Sequence, residues 1–304
     1  MVGTARNEDR ILSGIMLRLG SVAAFSVMNA LIKLAENRGA HLAEIMFFRQ
    51  TFALPLVTFW IWLGPGLQSI RTEHFGAHLL RTIVGLISMC FVFATLLLLP
   101  LAESTTLQFT LPIFATILGA LVLREPTGWH RWGAVVLGFA GVLIVTQPGS
   151  GLVAPLGIFT GLMGAFLSAS VAILLRQIGK TESAPTIVFW FSALSIPPLG
   201  IAFALYATPH APTVWLLLVA VGLVGGAAQL LMTASLHAGP IAAIVPMDYT
   251  GLIWAALYGW ALFGVLPDGA TWAGAPVIIA SGLYIVWREH RLRREKIDRA
   301  LAQG

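Results

Sequence analysis

The chain has 304 residues, of which 58% are apolar and only 10% are charged, whereas about a quarter of the residues in a soluble domain carry a charge. With a mean hydropathy of +0.86, it has too little polar surface to cover a water-soluble globule, which excludes a cytosolic enzyme and a disordered chain. The single cysteine, Cys90, excludes disulfides within the chain and metal sites built from several cysteines.

In chain order, apolar stretches separated by short polar or Gly/Pro-rich breaks predict ten membrane spans, because a helix needs roughly 20 apolar residues to cross a bilayer. The first five cover residues 11–35, 43–63, 77–99, 101–123 and 129–146. The second five cover residues 155–178, 185–207, 213–237, 240–264 and 270–287. An even number of spans places both termini on the same side of the membrane.

The basic residues predict which side that is, since positive charge near the ends of spans is retained in the cytoplasm. With the N-terminus inside, fourteen of the 18 Lys and Arg residues, Arg81 among them, fall in inner segments or near the inner ends of spans. Two fall on the outer side, and Arg18 and Arg49 lie further inside spans. We therefore expect both termini in the cytoplasm. We expect the basic C-terminal tail to face anionic lipid rather than nucleic acid.

Several short motifs recur 140 to 142 residues further along the chain. They are Val84-Gly85 with Val224-Gly225, Pro100 with Pro240, Phe47-Phe48 with Phe189-Trp190, and Pro55 with Pro197. The recurrence predicts an all-α membrane protein in which residues 1–147 and 148–304 are two five-helix repeats. Because five is odd, the second repeat is inverted in the membrane, and transporters use this arrangement to alternate access to a site between the repeats.

An ordered series of motifs in the first repeat also resembles a known family. These motifs are Phe47-Phe48-Arg49, Arg81 with Gly85, Pro100-Leu101-Ala102, Pro112-Ile113-Phe114, Arg124-Glu125, Gly133 and Gly141-Val142. Together with the repeat, the series resembles the drug/metabolite transporter superfamily, specifically its EamA-type ten-span bacterial members, over essentially the whole chain. The resemblance implies secondary transport of a small metabolite across the bacterial inner membrane, with protons as a candidate coupling ion.

Within that family the chain is similar to exporters of amino acids and to uptake carriers for S-adenosylmethionine or riboflavin. Export of an amphipathic, amino-acid-like metabolite is our first hypothesis, and uptake of S-adenosylmethionine or riboflavin is the alternative. No cofactor, metal ion or catalytic residue is expected, because the sequence lacks a complete P-loop, H-E-x-x-H and G-x-S-x-G. The rival class is a membrane enzyme acting on lipid headgroups, which would need carboxylates or histidines clustered at one interface.

Asp248 lies nine residues into the ninth span, about 13 Å deep at 1.5 Å per residue, in a hydrocarbon core of about 30 Å. A carboxylate at such a depth costs at least about 2.5 to 3.5 kcal/mol. Asp248 is therefore a candidate proton carrier or a counter-charge for the substrate. The structural alternative is a fixed ion pair with Arg18, which lies about seven residues into the first span from the same side.

Two more charged residues lie near the outer ends of spans, Arg49 in the second and Glu103 in the fourth. They are candidates for an ion pair or a gate that closes the outer end of the protein. The alternatives for Arg49 are direct binding of a substrate carboxylate and snorkelling to the membrane surface.

The remaining candidates for substrate contact are polar or aromatic residues within spans: Asn29, Gln108, Gln229, Tyr249, Trp190 and Trp254. Asn29 shares one helical face with Arg18 and Lys33, and Gln108 is the repeat mate of Asp248. A hydrogen bond between helices is the alternative for Asn29, and simple packing is the alternative for the two tryptophans.

Overall fold

The computed structural model describes residues 2–64, 66–122, 128–147, 153–179, 181–238 and 245–302. Within these ranges the chain consists of helices joined by short connections, and no strand is formed. Arg124-Glu125, the predicted start of the ninth span near residue 240, and the first residue after the predicted repeat boundary lie outside the described residues.

The helices of the first repeat are α1 (Val2–Glu36), α2 (Leu42–Leu63), α3 (Phe75–Leu98), α4 (Leu101–Gln108), α5 (Leu111–Leu121) and α6 (Trp129–Thr146). Those of the second are α7 (Pro155–Ile178), α8 (Ala184–Tyr206), α9 (Pro212–Ala238), α10 (Gly251–Phe263) and α11 (Gly269–Ala302). Two 3₁₀ helices, Leu67–Ile70 and Val245–Thr250, precede α3 and α10. Eight of the described helical segments are long and apolar enough to cross a membrane, and Trp132–Thr146 is a shorter apolar helix. The prediction of an all-helical, ten-span membrane protein is confirmed.

The second span of each repeat begins at an equivalent residue, and each start is capped by a side chain. At the start of α2, His41 Nδ1 accepts a hydrogen bond from the Ala43 amide at 3.2 Å, and the Glu44 carboxylate accepts one from the His41 amide at 2.6 Å. At the start of α8, Ser183, the repeat mate of His41, accepts a bond from the Thr186 amide at 3.4 Å. Such caps satisfy amides that have no partner within the helix.

Spans four and nine are broken at matching positions. Span four is divided into α4 and α5 around Phe109 and Thr110, where Pro112 lies in the first turn of α5. Span nine passes from the 3₁₀ helix, which contains Pro246, into α10 at Thr250, the repeat mate of Thr110. A proline inside a span removes a backbone donor and interrupts the helix. Transporters commonly place their binding sites beside such discontinuous helices.

The two repeats pack mainly against each other. Helix α1 of the first repeat packs along α9 of the second, and α7 of the second packs along α3 of the first. Two further large contacts also join the repeats, since α2 meets α8 and α6 meets α11. The region between the repeats is therefore lined by helices of both, and spans four and nine border it.

Hydrogen bonds between connecting segments and the first turns of helices show which segments share a face of the molecule. The Thr186 hydroxyl donates to the Ser69 carbonyl at 2.6 Å, and the Trp190 indole donates to the Ile70 carbonyl at 2.9 Å. The connection before α3 and the connection before α8 therefore lie on one face, as ten alternating spans require. At the opposite end, the Glu44 carboxylate accepts hydrogen bonds from the His210 ring at 2.9 Å and the Thr208 amide at 3.1 Å.

Candidate functional site

A two-pronged ion pair joins the first span to the broken ninth span. Arg18 Nε donates to Asp248 Oδ1, and Arg18 Nη2 donates to Oδ2, both at 2.5 Å. The Arg18 side chain is 11% exposed and that of Asp248 is 35% exposed. Because a charged carboxylate left partly open is far more stable in water than in hydrocarbon, this exposure indicates that Asp248 borders an aqueous space.

The face of α1 that carries Arg18 continues toward the opposite end of the helix. A β-carbon added at Gly251 would lie 3.5 Å from Val22 and 3.8 Å from Thr105, so α1, α4 and the start of α10 meet at this point. Further along, the Lys33 ammonium donates to the Leu97 carbonyl at 2.7 Å. The same lysine lines a cleft with a free volume of about 490 Å³ between α1, the α3–α4 junction and the end of α10.

Gln108 and Tyr249 lie at the two helix breaks. The Gln108 amide nitrogen is buried without a hydrogen-bond partner among the described residues, and it lies against Gly164 of α7, as Asp248 lies against α1. The Tyr249 ring packs edge-on against Phe109 at 5.0 Å, and its hydroxyl lies against Gly282 of α11, also without a partner in that part of the chain. Phe109 and Tyr249 are themselves repeat mates, so the two breaks touch each other.

The other aromatic and amide candidates do not join Asp248 in one cluster. Trp190 is bound to the Ile70 carbonyl and packs against Phe75 at 5.6 Å, which places it beside the connection before α3. Trp254 stacks on Tyr258 at 6.1 Å, and Asn29 is half-buried on α1. For Trp190 the structure favours the packing alternative.

The expected ion pair between Arg49 and Glu103 is wrong. Glu103, in the first turn of α4, lies beside Asp268 and Thr271 at the start of α11. Arg49 points instead into a small cavity between α2, α3, α8 and α9. The prediction used only depth in the membrane, and depth does not determine which neighbouring helix a side chain faces.

We call this space the arginine cavity and define it by Arg49, Arg81, Phe191, Ser192 and Gln229, which all line it. Arg81 is a correction to the sequence interpretation, which placed it at the inner membrane surface. It lies six residues inside α3 and is only 7% exposed. A basic residue well inside an apolar helix was the signal that could have identified it.

Within the described part of the chain, no group of three or more His, Cys, Asp or Glu side chains is placed to hold a metal ion. The polar groups described above can instead bind and release a small organic molecule through hydrogen bonds and charge.

Inverted repeats, matching broken helices and charged groups between the repeats define a class of protein, the membrane transporters with alternating access. More specifically, the chain belongs to the EamA-like transporter family, whose model matches residues 12–147 and again residues 155–287. The resemblance noted from the sequence motifs is thereby confirmed, and the chain is a transporter of small molecules.

Three curated relatives illustrate the range of that family. The riboflavin transporter of Vibrio cholerae is 29% identical over 94% of this chain and 97% of its own length. The pseudopaline exporter CntI of Pseudomonas aeruginosa is 25% identical over 90% and 95% of the two chains. The S-adenosylmethionine uptake transporter of Rickettsia prowazekii is 26% identical over 94% and 96%.

Proposed function

We propose that the protein is a secondary transporter of the bacterial inner membrane that moves a small amphipathic metabolite between its two repeats. The observation that carries this proposal is the ion pair between Arg18 and Asp248, which lies at the break of span nine and joins one repeat to the other. Alternating access requires such contacts between repeats to form in one state and open in another.

Asp248 is the proposed coupling group. In the structure its carboxylate is paired with Arg18, which belongs to the other repeat. The coupling step would be the separation of this pair as the two repeats move. Binding of a proton from one side and its release on the other would link each transport cycle to the proton gradient.

The proposed substrate is an amino acid or a related metabolite, and the proposed direction is export. Asn29, Gln108 and Gln229 would supply hydrogen bonds, and Tyr249 and Trp254 would supply apolar surface. The second candidate is uptake of riboflavin or S-adenosylmethionine, which is favoured by the functions named for the relatives in Vibrio and Rickettsia.

A transport measurement tests the coupling. Liposomes that contain the purified protein are screened with amino acids, riboflavin and S-adenosylmethionine. They should accumulate at least one of these compounds when a pH gradient is imposed. Asp248→Asn should abolish gradient-driven accumulation, because an amide cannot exchange the proton. Glu73→Gln, the same chemical change at an exposed position in the connection before α3, should behave as wild type. Unchanged accumulation and unchanged pH dependence in Asp248→Asn would remove Asp248 from the coupling mechanism.

The proposed orientation places both termini in the cytoplasm, on the face that carries most of the basic residues. Tags placed after Gly304 and in the connection before α3 should both react only from the cytoplasmic side. Reaction of either tag from the periplasmic side would contradict this orientation.

A further inference from the structure

We propose that the arginine cavity binds an oxyanion group, a carboxylate or a phosphate, of the transported metabolite. The inference rests on the proposed function, and it narrows the substrate class to metabolites that carry a carboxylate or a phosphate. The charged side chains that line the cavity, Arg49 and Arg81, are both basic.

Both arginines are almost completely buried, and neither has an opposite charge beside it in the described part of the chain. Arg49 is 9% exposed and Arg81 is 7% exposed. Nε of each residue, and Nη1 of Arg81, are buried with no hydrogen-bond partner within the described ranges. Among the described residues, no carboxylate forms an ion pair with either guanidinium.

One guanidinium in the cavity makes close contact with an aromatic ring. The Arg81 guanidinium carbon lies 3.7 Å from the centre of the Phe191 ring. This cation–π contact stabilises the positive charge but uses none of its N–H donors. The donors of Arg81 therefore remain available for a ligand.

Two like charges buried at one cavity repel each other, and both have lost their hydration. An anion placed between them would reverse the repulsion and satisfy the free N–H groups. Guanidinium groups suit this role, because their planar donors match the two oxygens of a carboxylate or phosphate. The Gln229 side chain lines the same cavity and can add a hydrogen bond.

The repeat architecture does not itself require these charges. At the spacings of 142 and 140 residues, the mates of Arg49 and Arg81 are Phe191 and Val221, both apolar. The hydrogen bond from Ser192 to its own mate Gln50, at 3.2 Å, places the pseudo-twofold axis beside the cavity. Because the two charges occur in only one of the repeats, we attribute them to ligand binding rather than to the repeat architecture.

A neighbouring glycine, Gly85, leaves room for the Arg81 guanidinium. A β-carbon at Gly85 would lie 3.0 Å from both Arg81 Nη1 and the Phe191 ring. The free volume is about 10 Å³, close to that of one water-sized sphere. The cavity in this conformation therefore has room for no more than about one water molecule. It would have to widen, as the repeats move, to admit a carboxylate or a phosphate.

Binding of small anions to the purified full-length protein tests the proposal. In lipid nanodiscs at constant ionic strength, succinate or inorganic phosphate should raise the melting temperature in a saturable manner, and neutral succinamide should not. The stronger of the two anions distinguishes a carboxylate site from a phosphate site. Arg49→Gln and Arg81→Gln should each weaken the apparent affinity at least tenfold. Arg38→Gln, the same change in an exposed loop, should not.

Equal shifts in wild type, Arg49→Gln and Arg81→Gln would overturn the proposal, and so would the absence of any shift with both anions. Arg49→Lys and Arg81→Lys provide a second test if a glutamine variant does not fold. They keep the charge but lose the planar donors, so they should bind more weakly than wild type; unchanged binding would contradict the geometry proposed here.

Transport measurements separate this inference from the proposed function. Transport of a neutral or cationic metabolite that is unaffected by Arg49→Gln and Arg81→Gln would support the proposed transport function and contradict the anion site. Succinate binding that is weakened by Arg49→Gln and Arg81→Gln, without transport of any tested compound, would support the anion site and contradict the proposed transport cycle.

Discussion

The ion pair between Arg18 and Asp248 allows two charged side chains to lie within membrane-spanning helices. Each charge alone would be costly in the bilayer core, but together they form two short hydrogen bonds. The partial exposure of Asp248 reduces the benefit of the pair relative to a sealed one.

Removing one charge should therefore destabilise the protein more than removing both. We expect Asp248→Asn to lower stability by about 1 to 3 kcal/mol, because it leaves Arg18 without a counter-charge. The double variant Arg18→Gln/Asp248→Asn should recover most of that loss. Thermal unfolding in detergent measures the difference, and equal losses in the single and double variants would show that the two residues are not coupled.

The sequence allowed the ion pair to be anticipated, but not the surroundings of Arg49. Arg18 and Asp248 lie at similar depths from the same side, and few other charges compete for either of them. Arg49 and Glu103 also lie at similar depths, yet they face different helices. Helical rise fixes depth, whereas the direction of a side chain depends on packing that only the tertiary structure provides.

At the scale of elements, α11 approaches the break of span nine closely because Gly282 has no side chain. A β-carbon at this position would overlap the Tyr249 hydroxyl. Since that hydroxyl has no hydrogen-bond partner among the residues that the structure describes, it contributes bulk rather than a bond.

This contact predicts that the effect of one substitution depends on another. Gly282→Ala should destabilise the protein by about 1 to 3 kcal/mol through overpacking. In a Tyr249→Phe background the same change should cost less, because the overlap with the hydroxyl is removed and only the contact with ring carbon Cζ, at 3.2 Å, remains. Gly133→Ala, in α6 with nothing within 4 Å, should be neutral or stabilising. Equal losses from Gly282→Ala in both backgrounds would contradict the contact.

The element boundaries were largely predictable, and the breaks were not. Apolar length and the Gly/Pro-rich connections located the spans, because a bilayer imposes a minimum length on each helix. Pro112 and Pro246 were the available signals for the breaks. Prolines also occur within the continuous helices α2 and α8, so a proline alone does not identify a broken span.

At the scale of the whole molecule, hydrogen bonds link the regions of α2 and α8 at both ends of the protein. One end is held by Glu44 with His210 and Thr208, and the other by Thr186 with Ser69. Glu44 and Thr186 are repeat mates, separated by 142 residues. The two contacts are therefore equivalent in the two repeats. We expect each of them to close one end of the space between the repeats, so that opening one at a time gives access from opposite sides of the membrane.

Labelling of a single cysteine tests this arrangement. In a Cys90→Ser background, Ser192→Cys provides a thiol that reports access to the arginine cavity. Glu44→Ala should increase its reaction with an impermeant maleimide from the side of Thr208, about tenfold for each 1.4 kcal/mol by which the closed end is destabilised. Thr186→Ala should increase reaction from the opposite side. If both variants opened the same side, the two contacts could not be alternative closures.

The span of 230 residues between Arg18 and Asp248 also has a consequence for biogenesis. At ribosomal rates of about 5 to 20 residues per second, the arginine is synthesised roughly 10 to 45 s before its aspartate. During that interval the nascent first helix carries an uncompensated charge. Either it waits in a hydrated part of the insertion machinery or it enters the lipid with that charge near the surface, so final assembly is delayed until the ninth helix emerges.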